Sequence, residues 1–227
     1  MSDWVIEPPE LPSVSVAGGG RFPVRRIFCV GRNYAAHARE MGADPDREPP
    51  FFFSKPADAV ISSDHVPFPT ATRSLHFEME LVVAIGRGGQ AIAIEQALEH
   101  VYGYAAGVDL TRRDLQDEAK LLRRPWDMSK GFDASAPIGL IVPTLQTGHP
   151  ACGRISLSVD DAIKQDGTLE DMIWSVPEII AFLSKLVALA PGDLIFTGTP
   201  DGVAAVERGA RISGSIDGVG TVSFQLV

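Results

Sequence analysis

No run of about 18 apolar residues occurs in the 227-residue sequence, so a bilayer-spanning helix is not expected. The N-terminal stretch MSDWVIEPPELPSV lacks the basic head and apolar segment of a secretory signal. Cysteine is scarce. Cys29 and Cys152 stand apart with no CxxC spacing, which fits buried free thiols in a reducing cytoplasm better than a disulfide framework. Basic residues are outnumbered, 20 Lys and Arg against 29 Asp and Glu, for a formal net charge of -9. That balance argues against a nucleic-acid partner, although a local cationic pocket would still take a small anion. No GxGxxG follows a predicted strand, and no GK[ST] follows Gly18–Gly20, so neither a dinucleotide fold nor a phosphate loop is expected. There is no internal repeat and no low-complexity tract.

What remains is an ordinary globular composition, 45 % hydrophobic and 22 % charged. Residues 1–25 read as an extended Pro- and Gly-rich arm with a turn at Gly18–Gly20. Strands are expected at RRIFCVG, FFFSKP, HFEMELVVAIG, YGYAAGVDL, IGLIV and LIFT. RISLSVDDAIKQDG reads as two strands or one bent one, and the C-terminus as a hairpin around Asp217-Gly218. Short helices are expected from Asn33 to Glu40, at EQALEHV, and after Thr111, with Asp114 as a near capping box. The clearest helix follows Ser175, where Ser-x-x-Glu closes on Glu178 and Pro177 takes an early position. RPWDMSKGFDASAP and residues 56–76 read as loops. The sum is a mixed, mostly β single domain with short peripheral helices.

Three acidic residues carry the most chemical information. If HFEMEL is one strand, Glu78 and Glu80 point to the same face, because side chains alternate with period two. Two buried carboxylates need a counter-charge, and Asp109 could complete a site for a divalent cation. All-oxygen ligation suits Mg²⁺, Mn²⁺ or Ca²⁺ rather than zinc. His76 leaves an alternative, a mixed His/carboxylate set suited to iron, and a solvated acidic strand face is another. His37 and Glu40 stand at i and i+3, where a Glu can orient and charge a His as in a general-base pair, or where both simply meet solvent. Arg113, Gln116, Lys130 and Lys55 could bind a carboxylate or a developing oxyanion, or be solvated helix and loop charges. The TGTP turn could bring Thr199 and backbone amides to a ligand, or be only a turn.

In order along the chain, IFCVGRNYAAHAREMG, PPFFFSKP, LHFEMELVVAIG, GYAAGVDLTRRDLQ, RPWDMSKGFDASAPIG and GDLIFTGTPDGV resemble the fumarylacetoacetate hydrolase family over residues 26–227. The likeness is greatest to its bacterial fumarylpyruvate hydrolases, which are acylpyruvase-type members. The resemblance implies a fumarylacetoacetase-type β-roll as one catalytic domain, 26–227, and a homodimer. It implies a Mg²⁺ or Mn²⁺ ion on Glu78, Glu80 and Asp109, with His76 not a ligand. It implies catalytic roles for His37, Glu40 and Lys130, and substrate contacts for Arg113, Gln116 and Thr199. A second substrate carboxylate would need a cationic partner, for which Arg113 and Arg32 are both candidates. The implied reaction is carbon–carbon bond hydrolysis of a 2,4-dioxo acid, with fumarylpyruvate giving fumarate and pyruvate in gentisate-type aromatic catabolism. Oxaloacetate decarboxylation or isomerisation of a 2-oxo-dienedioate at the same site is the alternative. A metal-stabilised binding protein without turnover and an iron oxygenase using His76 are further rivals.

Overall fold

A computed structural model of the chain describes residues 4–36 and 48–227. Its centre is a six-stranded sheet in the order Val142–Pro143, Val101–Val108, Met79–Ile85, Asp193–Phe196, Arg26–Gly31, Phe51–Lys55. Asp193–Phe196 and Arg26–Gly31 run parallel, and the other neighbours are antiparallel. The Met79–Ile85 strand, MELVVAI, is buried at every position, as expected of a strand covered on both faces. Its alternation divides two cores. Leu81, Val83 and Ile85 face one apolar cluster, and Val82 and Ala84 face the other.

The first cluster is closed by a five-stranded sheet ordered Ala162–Thr168, Arg154–Val159, Arg211–Ile216, Gly220–Leu226, His65–Val66. The helix Val176–Leu186 adds Val176, Ile179, Ile180 and Leu183 to the same core. A capping box starts that helix, with Glu178 accepting from the Ser175 backbone N–H at 3.0 Å. The second cluster is closed by a hairpin of Ser13–Ser15 and Arg21–Pro23, which buries Val14, Val16, Phe22 and Val24. The turn at Gly18–Gly20 closes as the sequence suggests, with all three glycines at positive φ. The two strands of RISLSVDDAIKQDG and the C-terminal hairpin also form as expected.

Several local expectations are corrected. HFEMEL is not one strand: Leu75–His76 pairs with Thr111–Arg112 and Ala205–Val206 in a separate sheet, and the central strand begins at Met79. EQALEHV forms a 3₁₀ helix, Ile94–His100. The helix after Thr111 spans Arg113–Leu121 and is not capped by Thr111. Asp114 instead accepts from Thr72 Oγ1 at 2.6 Å and Arg73 N at 2.8 Å, pinning the preceding loop. RPWDMSKGF holds a single helical turn, Asp127–Lys130, too short to show a period. IGLIV gives only the two-residue strand Val142–Pro143. Of the cysteines, Cys29 is buried and Cys152 exposed, and both are free. Among the described residues no helix is long and apolar enough to cross a membrane.

Candidate active site

Parity along two neighbouring strands builds the acidic cluster. Glu80 shares its face with Val82 and Ala84, and Asp109 follows Ala105 and Gly107 on the adjacent strand. Glu80 lies opposite Gly107, and the Asp109 backbone N–H donates to the Glu78 carbonyl at 2.8 Å. One carboxylate oxygen from each of Glu78, Glu80 and Asp109 therefore lies within 4.8 Å of the other two. Their exposures are 6 %, 1 % and 0 %, so the solvated-face alternative fails.

Three cations face this cluster. Lys130 is itself 2 % exposed and donates to Glu78 Oε2 at 2.8 Å, Asp109 Oδ2 at 2.7 Å and Thr111 Oγ1 at 2.6 Å. That third bond is what occupies the threonine expected as a helix cap. Arg113 pairs with Glu78 and with Gln116. Lys55 Nζ sits 2.8 Å from Asp109 Oδ1, in ion-pair range though outside hydrogen-bond direction. Its other partners are the Leu110 and Lys130 carbonyls. Burial alone pushes the Lys130 ammonium down, but Asp109 and Glu78 outweigh it and hold the group above its ordinary value.

Glu80 differs from its neighbours. Among the described residues it makes no ion pair, and it accepts the Gly198 N–H at 2.6 Å. Burial, then the charges of Asp109 and Glu78, push its carboxyl well above the usual range. A buried carboxylate with one backbone donor and no paired cation is the feature a bound cation would answer. The hard, all-oxygen donor set fits Mg²⁺ or Mn²⁺.

Gly198 has to be glycine. Its φ is +97°, and a Cβ there would stand 2.7 Å from the Asn33 Cβ. Asn33 clamps the same turn, donating to the Thr197 and Trp174 carbonyls at 2.8 and 2.9 Å.

Glu78 and Glu80 line a pocket of about 420 Å³, counting its open mouth, with Asp109 buried behind them. Arg113, Gln116, Lys130 and Thr199 line it, and Arg32 lies at its rim. Arg32 is exposed, with φ +58° and its guanidinium 5.8 Å from the centre of the Phe51 ring. Trp126 and Lys120 also line the pocket; the sequence marks Trp126 only as a neighbour of Lys130 in an unusual loop, and nothing in it sets Lys120 apart from the other helix charges. His37 and Glu40 lie outside the described residues. His76 is not part of the oxygen cluster. Its Nε2 bonds to Ser74 Oγ at 3.0 Å, and burial followed by the charge of Arg113 lowers its pKa to about 4. The strand break after His76 therefore removes the basis of the mixed His/carboxylate alternative.

The comparisons agree with this architecture. The fumarylacetoacetate hydrolase C-terminal profile matches residues 26–227. The crystal structure of a fumarylpyruvate hydrolase from Pseudomonas aeruginosa, in complex with Mn²⁺ and pyruvate, superposes with a TM-score of 0.97 at 53 % identity, covering 99 % of each chain. A protein from Burkholderia cenocepacia with a provisional fumarylpyruvate hydrolase name gives 0.94 at 56 % identity, covering 99 % of this chain and 98 % of that one. The mitochondrial oxaloacetate tautomerase FAHD1 of Rattus norvegicus is 40 % identical over 202 residues, 89 % of this chain and 91 % of that protein. With its mostly β architecture and a profile match over nearly all of its length, the chain belongs to the fumarylacetoacetate hydrolase family.

Proposed function

We propose that the protein hydrolyses the carbon–carbon bond of an acylpyruvate, with fumarylpyruvate giving fumarate and pyruvate. The observation that carries this reading is the buried oxygen trio beside Lys130, in a chain 53 % identical to a fumarylpyruvate hydrolase crystallised with Mn²⁺ and pyruvate. Glu78, Glu80 and Asp109 would hold Mg²⁺ or Mn²⁺. When bound, such an ion supplies Lewis acidity toward a 2-oxo acid and its enolate.

Charge supports a dianionic substrate. Three carboxylates face Lys55, Lys130 and Arg113, so the cluster is close to balanced before any ion arrives. Adding a divalent cation leaves two positive charges in excess. Arg113 is already paired with Glu78, whereas Arg32 is exposed at the pocket mouth. Arg32 is therefore the better partner for the far carboxylate, with Gln116 and Thr199 contacting the near end.

In this scheme His37, oriented by Glu40, takes a proton from water, and the oxygen attacks the C4 carbonyl. Lys130, whose three N–H donors are held by Glu78, Asp109 and Thr111, releases one of them and donates to the oxyanion that forms at C4. The C3–C4 bond then breaks, its electron pair leaves as pyruvate enolate, and protonation at C3 gives pyruvate.

A second reading, oxaloacetate tautomerisation, is favoured by the 40 % identical relatives of that name. It uses the same enolate but forms no new acid. The proposal places the enzyme in the cytoplasm as a homodimer, and sedimentation of the purified protein checks the dimer. Product analysis separates the two reactions. With Mn²⁺ and fumarylpyruvate the protein should release equal amounts of fumarate and pyruvate. Rapid oxaloacetate enol–keto exchange with no pyruvate from any acylpyruvate would replace hydrolysis with tautomerisation.

A further inference from the structure

The strand Ala162–Thr168 carries a buried polar residue that the proposed chemistry leaves unused. Gln165 is 0 % exposed, although its neighbours Lys164 and Asp166 face solvent. Its amide reaches two parts of the site. Oε1 accepts the Met79 backbone N–H at 2.9 Å, between Glu78 and Glu80 in the chain. Nε2 donates to Thr199 Oγ1 at 2.8 Å and to the Pro200 carbonyl at 2.8 Å.

These contacts fix the direction of every hydrogen bond involved. A backbone N–H can only donate, so the amide oxygen must face Met79 and the NH₂ must face Thr199. Thr199 Oγ1 thereby becomes an acceptor from Gln165. Among the described residues that is the only hydrogen bond Oγ1 makes. Its own O–H remains to be donated, and Thr199 lines the pocket.

We propose that Gln165 is a positioning residue that sets the polarity of the Thr199 hydroxyl, committing it to donate to the carboxylate of a bound 2-oxo acid. The inference rests on the functional reading above, since it needs an anionic ligand in the pocket. Gln165 never touches the ligand. It acts by occupying the Thr199 lone pair and by tying the TGTP turn to the strand that carries Glu80.

Pyruvate is the probe, titrated calorimetrically into protein saturated with Mn²⁺. Thr199→Val removes the donor and should weaken pyruvate binding about tenfold to hundredfold, the range for a hydrogen bond to a charged group. Thr199→Ser should restore it. Gln165→Glu keeps the shape and the acceptor for Met79, but once ionised it offers Thr199 an acceptor in place of a donor. Pyruvate affinity in that variant should fall as pH rises, approaching the Thr199→Val value.

Gln165→Met lets the hydroxyl rotate, so it should show a smaller, pH-independent loss. It carries the test if the Glu variant does not fold. In a Thr199→Val background either Gln165 change should weaken pyruvate little further. Wild-type pyruvate affinity in both Gln165 variants, or losses that add fully to that of Thr199→Val, would overturn this inference alone. A wild-type protein that binds neither Mn²⁺ nor pyruvate would overturn the functional reading, and this inference with it.

Discussion

Replacing Lys130 by Met tests the charge arrangement of the site most sharply. The side chain is 2 % exposed and bonds to Glu78, Asp109 and Thr111 at 2.6–2.8 Å. Met has nearly the same length, so packing is largely kept while one positive charge is lost. Removing one partner of a buried ion pair costs about 3–5 kcal/mol, because the remaining charge stays buried. Here Asp109 keeps Lys55 and Glu78 keeps Arg113, so the lower end applies. At about 2–4 °C per kcal/mol for a chain of this size, about 3 kcal/mol lowers the metal-free melting temperature by about 6–12 °C.

Manganese should narrow that gap. A cation entering the Lys130→Met site meets one fewer positive charge, so the variant should bind Mn²⁺ more tightly than wild type. A ligand at a hundred times its dissociation constant adds about 2.7 kcal/mol of stability. Melting curves with chelator and with Mn²⁺ read both effects. Turnover should fall by about 10²–10³ if the ammonium serves the oxyanion. A metal-free variant melting within about 2 °C of wild type, or a gap that widens on adding Mn²⁺, would refute the arrangement.

Other outcomes follow from the same geometry. Gly198→Ala forces a Cβ to within 2.7 Å of Asn33 at φ +97°, costing about 1–3 kcal/mol. It should also weaken Mn²⁺ binding by disturbing the N–H on Glu80, which melting and calorimetry measure together. The raised pKa of Glu80 gives a pH dependence. In the unfolded chain that carboxyl ionises near its ordinary value of about 4.5, and in the fold it ionises higher. Metal-free stability attributable to Glu80 is therefore lost as pH rises through that window. Protons and Mn²⁺ compete for the same oxygens, so the melting-temperature gain from Mn²⁺ should grow between about pH 5 and about pH 8. A gain that shrinks over that range would contradict the shift. His37→Ala should lower turnover by about 10²–10⁴ with pyruvate affinity little changed, and near-normal turnover would remove its assignment as base.

The legible parts of this fold share a physical cause. Period-two alternation points Glu78 and Glu80 to one face, and their carboxylates do come together although the strand begins only at Met79. The capping signal of Ser175 and Glu178 located the longest helix because it is local. The illegible parts depend on partners far along the chain. Thr111 reads as a cap until Lys130, 19 residues away, takes its hydroxyl. Gln165 bonds 86 residues back to Met79 and 34 forward to Thr199, and its own strand gives no sign of either. His76 can be a ligand only if HFEMEL is one strand, and pairing with Thr111 and Ala205 draws it into another sheet. Asp109 joined the acidic pair through topology and family likeness, because spacing does not say which strands are neighbours.

Anomalous diffraction at the manganese edge from crystals grown with Mn²⁺ and pyruvate is the most direct test. The account predicts one strong peak bounded by Glu78, Glu80 and Asp109, with pyruvate beside it and the carboxylate within reach of Thr199. An empty trio, or manganese bound elsewhere while Lys130 still bridges Glu78 and Asp109, would contradict it.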